Sequence, residues 1–231
     1  QGPAIAKTCN NIIKEMKAMA DPEALAGKAR FGINVENSLG LRMPQIRGLA
    51  RNIGKDHQLA LELWQTGIVD ARILAPLVAD RKAVDVDLME AWVADFASWD
   101  VCDQCCINLF RHHDAAFDKV REWAAREEEY VRRAGFALLA TMAVHKKNEP
   151  DQTFIDFLPL IEAYAFDERN FVKKAVNWAL RQIGKRNKNL NQAALATCQH
   201  LIDQDTAPAR WIARDAVREL KDKKILDRLK N

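Results

Sequence analysis

A helical pattern that returns every 30 to 41 residues constrains this chain more than any other feature of its sequence. The segments that share it are Val69-Asp70-Ala71-Arg72-Ile73, Asp100-Val101-Cys102-Asp103-Gln104, Tyr130-Val131-Arg132-Arg133-Ala134, Phe171-Val172-Lys173-Lys174-Ala175 and Trp211-Ile212-Ala213-Arg214-Asp215. The last three begin with an aromatic and a β-branched residue, and the fourth position is charged in all five. Repeats of this length are typical of helix pairs that stack into a solenoid, because one pair alone cannot bury both of its apolar faces.

The stretches between these segments supply a helical partner for each repeat. Apolar residues fall three and four apart in 88–96, 117–127 and 153–165, which is the spacing of an amphipathic helix. Only nine Gly and seven Pro occur in 231 residues, a composition that favours helix over strand. We therefore predict an all-α, single-domain superhelical solenoid over 4–231, with a concave basic groove. Gln1-Gly2-Pro3 resembles the remnant of an expression tag and is left outside that domain.

Membrane and secretory signals are missing from the sequence. No apolar stretch approaches the roughly 20 residues of a membrane helix, and the first residues lack the basic-then-apolar order of a secretory signal. We therefore expect a soluble, cytoplasmic monomer with no membrane partner.

The five cysteines are expected to be reduced, because three of them, Cys102, Cys105 and Cys106, lie too close together for a disulfide framework. Cys102 and Cys105 with His112 and His113 offer an alternative interpretation as a zinc site. No second Cys pair follows, however, and helical spacing explains these cysteines as small core residues. We predict neither a metal nor an organic cofactor.

Charge is distributed unevenly along the chain. Residues 169–231 carry fifteen Lys or Arg against six Asp or Glu, a local charge of +9, and because the whole chain carries +3 the part upstream carries −6. A basic surface of this kind fits a polyanion such as nucleic acid, although a solvated helix face often carries Lys and Arg without any partner.

The fourth repeat position is predicted to form a line of charges, because the same position lies on the same helix face in every repeat. Its members are Arg72, Asp103, Arg133, Lys174 and Arg214. Basic side chains along a groove suit a phosphate backbone, whereas a structural alternative is that they form salt bridges between neighbouring repeats. Asp103 would repel the same backbone unless it takes part in a reaction or is neutralised by a neighbour such as Arg133.

Two tryptophans are expected near that carboxylate. Trp99 lies one helical turn before Asp103 and Trp178 lies one turn after Lys174, so each shares a face with its charged neighbour. Each indole by itself is better explained as a core residue. Together with the basic residues, however, a fixed carboxylate and π faces suit the cleavage of an N-glycosidic bond, which develops positive charge on the sugar. Asp103 would also be able to orient the attacking water.

Several segments resemble the AlkD-type DNA alkylation repair glycosylases, which are built of HEAT-like repeats. The similar segments are Phe31-Gly32-Ile33 with Arg47, Leu63-Trp64 with Arg72, Trp92 with 96–103, Arg132-Arg133-Ala134 and 171–181. They span most of the chain. The stretch with Trp99, Asp100 and Asp103 and the segment ending in Trp178 are the specific parts, whereas the general repeat pattern is shared with many scaffolds.

The resemblance implies a monofunctional DNA glycosylase that excises cationic N3- or N7-alkylated purines from double-stranded DNA as part of base excision repair. It implies that Asp103 is the catalytic carboxylate, that Trp99 and Trp178 contact the deoxyribose, and that Arg133 holds either a phosphate or the carboxylate. The predicted DNA-binding residues are Lys174, Arg181, Arg214, Lys173, Arg72 and Arg47. The alkylated base is already a good leaving group, so little acid catalysis is needed.

Two positions depart from the family pattern: 34–41 reads like an extra loop, and Asn177 stands where a small residue is expected beside Trp178. Some relatives keep the fold without glycosylase activity. The alternative function is therefore a non-catalytic HEAT-like module that binds DNA structure or a protein partner, and a scaffold for proteins alone is a third.

Overall fold

The computed structural model describes residues 7–31 and 35–231, and within these ranges every regular element is a helix and no strand occurs. The α-helices are α1 (Cys9–Ala18), α2 (Pro22–Arg30), α3 (Met43–Ile53), α4 (His57–Gln65), α5 (Val69–Val78), α6 (Val86–Ala94), α7 (Trp99–Asn108), α8 (Ala116–Ala124), α9 (Glu129–His145), α10 (Asp151–Ile155), α11 (Leu158–Tyr164), α12 (Asn170–Gly184), α13 (Lys188–Gln204), α14 (Ala207–Leu220) and α15 (Lys223–Arg228). Two short 3₁₀ helices cover Arg81–Ala83 and Phe110–His112.

The described chain forms two compact units. The first comprises the described residues up to Trp92 together with Asn108–His113, and the second comprises Val93–Ile107 and Asp114–Asn231. The first therefore contains α1 to α5 and most of α6, and the second contains nearly all of α7 and all of α8 to α15. The single-domain boundaries predicted from the sequence stay a prediction.

In the first unit, α5 packs against α3 and α4, and its buried side chains include Ala71, Leu74 and Val78. Trp64 of α4 stacks on Trp92, with ring centroids 4.2 Å apart. The predicted extra loop is non-helical over its described part, 35–41, and the buried carboxylate of Asp70 binds it by accepting the backbone N–H groups of Leu39 and Leu41 at 2.6 and 2.9 Å.

In the second unit, α8 packs on α9 and α13 packs on α14, while α12 lies between α9 and α14. The close approach of α8 and α9 depends on Gly135, because a Cβ atom there would lie 2.6 Å from the backbone N of Ala124. Buried Ala and Leu side chains fill the adjoining layers, including Ala134, Leu138, Ala175 and Leu180. The predicted repeat helices thus form a packed series of α9, α12 and α14.

Of the three amphipathic segments predicted from the sequence, two form one helix each and the third forms two. The first two, 88–96 and 117–127, correspond to α6 and α8 with shifted ends. The third, 153–165, is broken into α10 and α11 because Pro159 has no backbone N–H to continue a helix and occupies the first turn of α11 instead. Side-chain caps fix other helix starts, as where Asn187 accepts the N–H of Leu190 at the start of α13.

In the part of the chain that the structure describes, no helix is both long enough and apolar enough to cross a bilayer. The tag-like residues 1–3 and the Gly32-Ile33 part of the family-like segment lie outside the described residues.

Candidate catalytic carboxylate and basic surface

Helix α7 carries Trp99 at its first residue and Asp103 one turn later. Two buried thiols also fix this helix to α9: Cys102 Sγ donates to the carbonyl of Tyr130, and Cys106 Sγ donates to that of Ala134, both at 3.7 Å. Burial raises the pKa of both thiols, which therefore stay protonated. The rotation of α7, and with it the direction of the Asp103 side chain, is set by this packing.

Asp103 and Arg133 form a buried two-point ion pair. Arg133 Nε donates to Asp103 Oδ1 at 3.0 Å, and Arg133 Nη2 donates to Asp103 Oδ2 at 2.8 Å. The remaining amine of the guanidinium, Nη1, donates to the carbonyl of Phe171 at 2.6 Å. Asp103 and Arg133 are 8% and 7% exposed. Of the two partners expected for Arg133, the carboxylate is the one it holds, and the guanidinium joins α7, α9 and α12.

Burial raises the pKa of the Asp103 carboxyl above its ordinary value, while the charge and hydrogen bonds of Arg133 act against that rise. Burial also disfavours the charged guanidinium of Arg133, but the Asp103 carboxylate outweighs this and raises the pKa of Arg133. Because both Asp103 oxygens accept N–H groups, the geometry is that of an ionised carboxylate. The pair therefore places a negative charge on α7 that is already partly compensated.

Trp99 and Trp178 are both half-buried. Among the described residues, neither indole is hydrogen bonded or packed against another ring. Each residue therefore keeps some accessible surface, and the rest of it is covered by the protein. Each remains where the sequence placed it, on the helix of Asp103 and of Lys174 respectively.

The predicted DNA-binding residues of α12 and α14 differ in the contacts that they already make within the protein. Lys174 and Arg214 are exposed and make no hydrogen bond or ion pair with any described residue. Lys173 places its ammonium 4.6 Å from the centroid of the Trp211 ring. Arg181 is held by Asn177 at 2.8 Å and by Glu219 at 3.3 Å.

The structure explains why Asn177 stands where the family pattern has a small residue. It is 2% exposed, and its amide donates to the carbonyl of Ile212 at 3.1 Å while its oxygen accepts Arg181 Nε. A small apolar residue would lose the link between α12 and α14 and the partner that orients Arg181. The pattern of polar residues gave no sign of this, because it depends on a helix 35 residues further along the chain.

Arg47 and Arg72 belong to the first unit. Arg47 is exposed and lines a surface depression together with Arg51 and Lys55. Arg72 is half-buried: its Nε donates to the carbonyl of Trp64 at 3.1 Å, and its guanidinium lies 5.0 Å from the centroid of that indole ring. Arg47 and Arg72 thus differ sharply in accessibility to a polyanion.

One member of the line of equivalent charges expected from the sequence, Arg72, is out of register with Arg133. Arg132 Nε donates to the carbonyl of Ala124, eight residues earlier, just as Arg72 donates to Trp64 eight residues earlier. Arg72 therefore corresponds to Arg132 and not to Arg133. The frame taken from the sequence is therefore one residue out at Arg72.

The structure contains a second buried ion pair that the sequence analysis did not predict. Arg132 Nη1 donates to Asp167 Oδ2 at 2.8 Å, and Arg169 Nη2 donates to the same oxygen at 2.7 Å. Arg169 Nη1 also donates to the carbonyl of Glu127 at 2.7 Å. These contacts join the turn before α9 to the turn before α12, so the doubled Arg at 132 and 133 serves two separate ion pairs.

The zinc alternative has no geometric support. Among the described residues, no group of three or more His, Cys, Asp or Glu side chains is arranged to hold a metal ion. Cys102 instead lies against the carbonyl of Tyr130.

Comparison with known proteins relates the chain to a protein family and to a solved structure. The family model described as DNA alkylation repair enzyme matches residues 12–220. The fold is similar to a solved structure described as a new family of proteins related to the HEAT-like repeat DNA glycosylases with affinity for branched DNA structures. That match has a TM-score of 0.76 at 19% identity and covers 91% of this chain and 94% of the other. No curated protein matches the sequence. The prediction of an all-α fold of HEAT-like repeats is confirmed.

Proposed function

The chain belongs to the DNA alkylation repair enzyme family, and we propose that it is a monofunctional DNA glycosylase acting on cationic N3- or N7-alkylated purines in duplex DNA. The observation that carries this proposal is the Asp103 carboxylate, which two hydrogen bonds from Arg133 fix one helical turn from Trp99. A carboxylate held rigidly in a poorly solvated place stabilises a developing cation more strongly than one in water.

Hydrolysis of the N-glycosidic bond develops positive charge on the deoxyribose, which Asp103 stabilises, and the departing base takes the bonding electrons with it. Each Asp103 oxygen accepts one N–H from Arg133 and keeps a lone pair for a water molecule or for the sugar. Water adds to the sugar carbon, and its proton passes to Asp103 or to solvent. An N3- or N7-alkylated purine leaves as a neutral base, so this scheme requires no proton donor.

DNA binding is assigned in this proposal to the basic residues of α12 and α14, with Arg47 and Arg72 contributing from the first unit. Lys174 and Arg214 are the strongest candidates, because their charges are exposed and uncommitted. Lys173 and Arg181 are expected to contribute less, since an indole ring and Glu219 already engage them. Each phosphate that a cation neutralises adds affinity through counterion release.

The proposal is tested by measuring release of 7-methylguanine and 3-methyladenine from methylated duplex DNA. We expect wild-type protein to release at least one of them and Asp103→Asn to be slower by about 10²- to 10³-fold. Asp100→Asn is the matched control, because it removes a carboxylate from the same helix while an amide can still accept the N–H of Val101. Its rate should stay within a few-fold of wild type.

The proposed glycosylase activity is refuted if wild-type protein releases neither base above background. The proposed role of Asp103 is refuted if Asp103→Asn, like Asp100→Asn, releases bases at the wild-type rate. Thermal unfolding of each variant is measured alongside, because Asp103→Asn leaves the buried Arg133 without its counter-charge. DNA affinity of Asp103→Asn should equal or exceed that of wild type, since the substitution removes a charge that phosphates repel.

A second candidate function is a DNA-binding module without catalysis. The observation that favours it is the same ion pair: a two-point salt bridge with a third bond to the carbonyl of Phe171 is also what a purely structural link between repeats requires. The similar solved structure is described by its affinity for branched DNA structures. Such a module would bind DNA with a strong dependence on salt and would release no base.

A further inference from the structure

Helix α14 presents an exposed stripe that the proposed chemistry does not use. Arg210, Trp211, Arg214 and Arg218 follow one another at helical spacing and line a shallow depression with Asp215. The opposite side of α14 is the buried one, formed by Ile212, Ala213, Ala216 and Leu220 among others. The stripe is therefore not needed to complete the core.

Trp211 is unusual among the six tryptophans. Trp64, Trp92 and Trp123 are buried, Trp99 and Trp178 are half-buried, and Trp211 alone is exposed, with 38% of its surface accessible. Leaving so much of an indole in water forfeits hydrophobic stabilisation unless a partner covers it.

The repeat pattern explains how this indole came to be exposed. Tyr130 and Phe171 occupy the same pattern position in α9 and α12, and their rings pack together with centroids 6.0 Å apart. Trp211 is the last member of the series, and its ring is approached by the ammonium of Lys173 at 4.6 Å. A cation–π contact at an exposed site is weak, so it does not outweigh the stacking of a base on the ring.

The charges around Trp211 indicate the kind of partner. Arg210 pairs with Asp205, and Arg218 lies 3.9 Å from Asp215, but Arg214 makes no hydrogen bond or ion pair with a described residue. An exposed ring among cations combines a stacking surface with phosphate attraction, which is the arrangement that binds unpaired nucleotides.

From this geometry we infer that Trp211 stacks on an unpaired base of DNA whose neighbouring phosphate is held by Arg214. The inference rests on the proposed function, because it assumes that this surface binds DNA. Inside an intact duplex both faces of each base are covered by neighbouring bases, and only phosphates and sugars reach the stripe. Trp211 therefore adds affinity only where the duplex ends in, or is interrupted by, single-stranded DNA.

The test compares two lesion-free DNA molecules of equal phosphate number at one salt concentration: an intact duplex, and a shorter duplex with a single-stranded tail of about ten nucleotides, long enough to fill one stacking groove. Dissociation constants are measured by fluorescence anisotropy for wild type, Trp211→Ala and Trp211→Phe. Phe166→Ala is the matched control, because Phe166 is 54% exposed but lies beside Asp167, away from the stripe.

Trp211→Ala should weaken binding to tailed DNA by about tenfold and change duplex binding by less than about twofold, because one stacked base is lost. Trp211→Phe should retain most of the affinity for tailed DNA, and Phe166→Ala should bind both molecules like wild type. An equal loss on both molecules, or no loss on either, overturns the stacking role while leaving base release untouched. If wild-type protein binds neither molecule, the DNA-binding surface of the proposed function is refuted as well.

Discussion

The pair of helices α7 and α9 and the pair α12 and α14 use the same repeat position in opposite ways. In the first pair the position carries Asp103 and Arg133, which are buried and bonded to each other. In the second it carries Lys174 and Arg214, which are exposed and uncommitted. A charge in the repeat pattern therefore has no fixed meaning: its burial and its neighbour decide whether it stabilises the fold, serves chemistry or attracts a polyanion.

The largest expected difference between the two pairs is in stability. Arg133→Ala leaves the Asp103 carboxylate buried without its partner and removes the bond to the Phe171 carbonyl, so it should lower the free energy of unfolding by about 3–5 kcal/mol. Arg214→Ala removes an exposed side chain and should change it by less than about 0.5 kcal/mol. Urea denaturation of both variants checks this. Equal effects would mean that the Asp103–Arg133 pair does not hold the repeats together.

The next difference is in DNA binding. Combined replacement of Lys174 and Arg214 by Ala should weaken duplex binding by at least about tenfold at moderate salt and lower the salt slope by about 2, because two phosphate contacts are lost. Replacing Arg181 by Ala should change the slope less, since Glu219 already engages its guanidinium. Binding titrations at several salt concentrations measure both. If Arg181→Ala has the larger effect, the distinction between free and committed cations is wrong.

The smallest expected effect is the pH dependence of stability that comes from Arg132–Asp167, the second buried ion pair of α9. Burial alone would raise the pKa of Asp167, but hydrogen bonds from Arg169 and Arg132 outweigh it and hold the pKa below its ordinary value. A lowered carboxyl pKa contributes stability above the ordinary carboxyl pKa of about 3.9, and this contribution disappears as pH falls through the lower folded-state value. Asp167→Asn should therefore flatten the loss of stability below about pH 4. An unchanged acid limb in denaturation curves would contradict this assignment.

The fold was largely predictable because its signals are local. Repeat spacing and apolar periodicity identified the helices, and Pro159 carried a sign of the break between α10 and α11 that the periodicity alone concealed. The neutralisation of Asp103 by Arg133 was foreseeable as one of two alternatives. The one-residue shift that separates Arg72 from Arg133 was not, because it shows only in which backbone carbonyl each Arg side chain reaches.

The contacts between distant repeats could not be predicted from the sequence. Asp167 meets Arg132 across 35 residues, and Asn177 meets Ile212 across the same interval. Neither distance is marked by a repeated residue type, so only packing reveals these pairs. The roles of Trp99 and Trp178 at the deoxyribose stay predictions.

A single-turnover measurement of base release from methylated duplex DNA tests most directly whether the buried Asp103 carries the reaction while the exposed Lys174 and Arg214 bind DNA. With protein in excess, the rate at saturation and the protein concentration at half-saturation are determined for Asp103→Asn and for the Lys174, Arg214 double Ala variant. We predict that Asp103→Asn lowers the saturated rate by about 10²- to 10³-fold at unchanged or tighter half-saturation. The double variant should shift half-saturation and keep the rate. A saturated rate that falls in the double variant but not in Asp103→Asn would contradict the account.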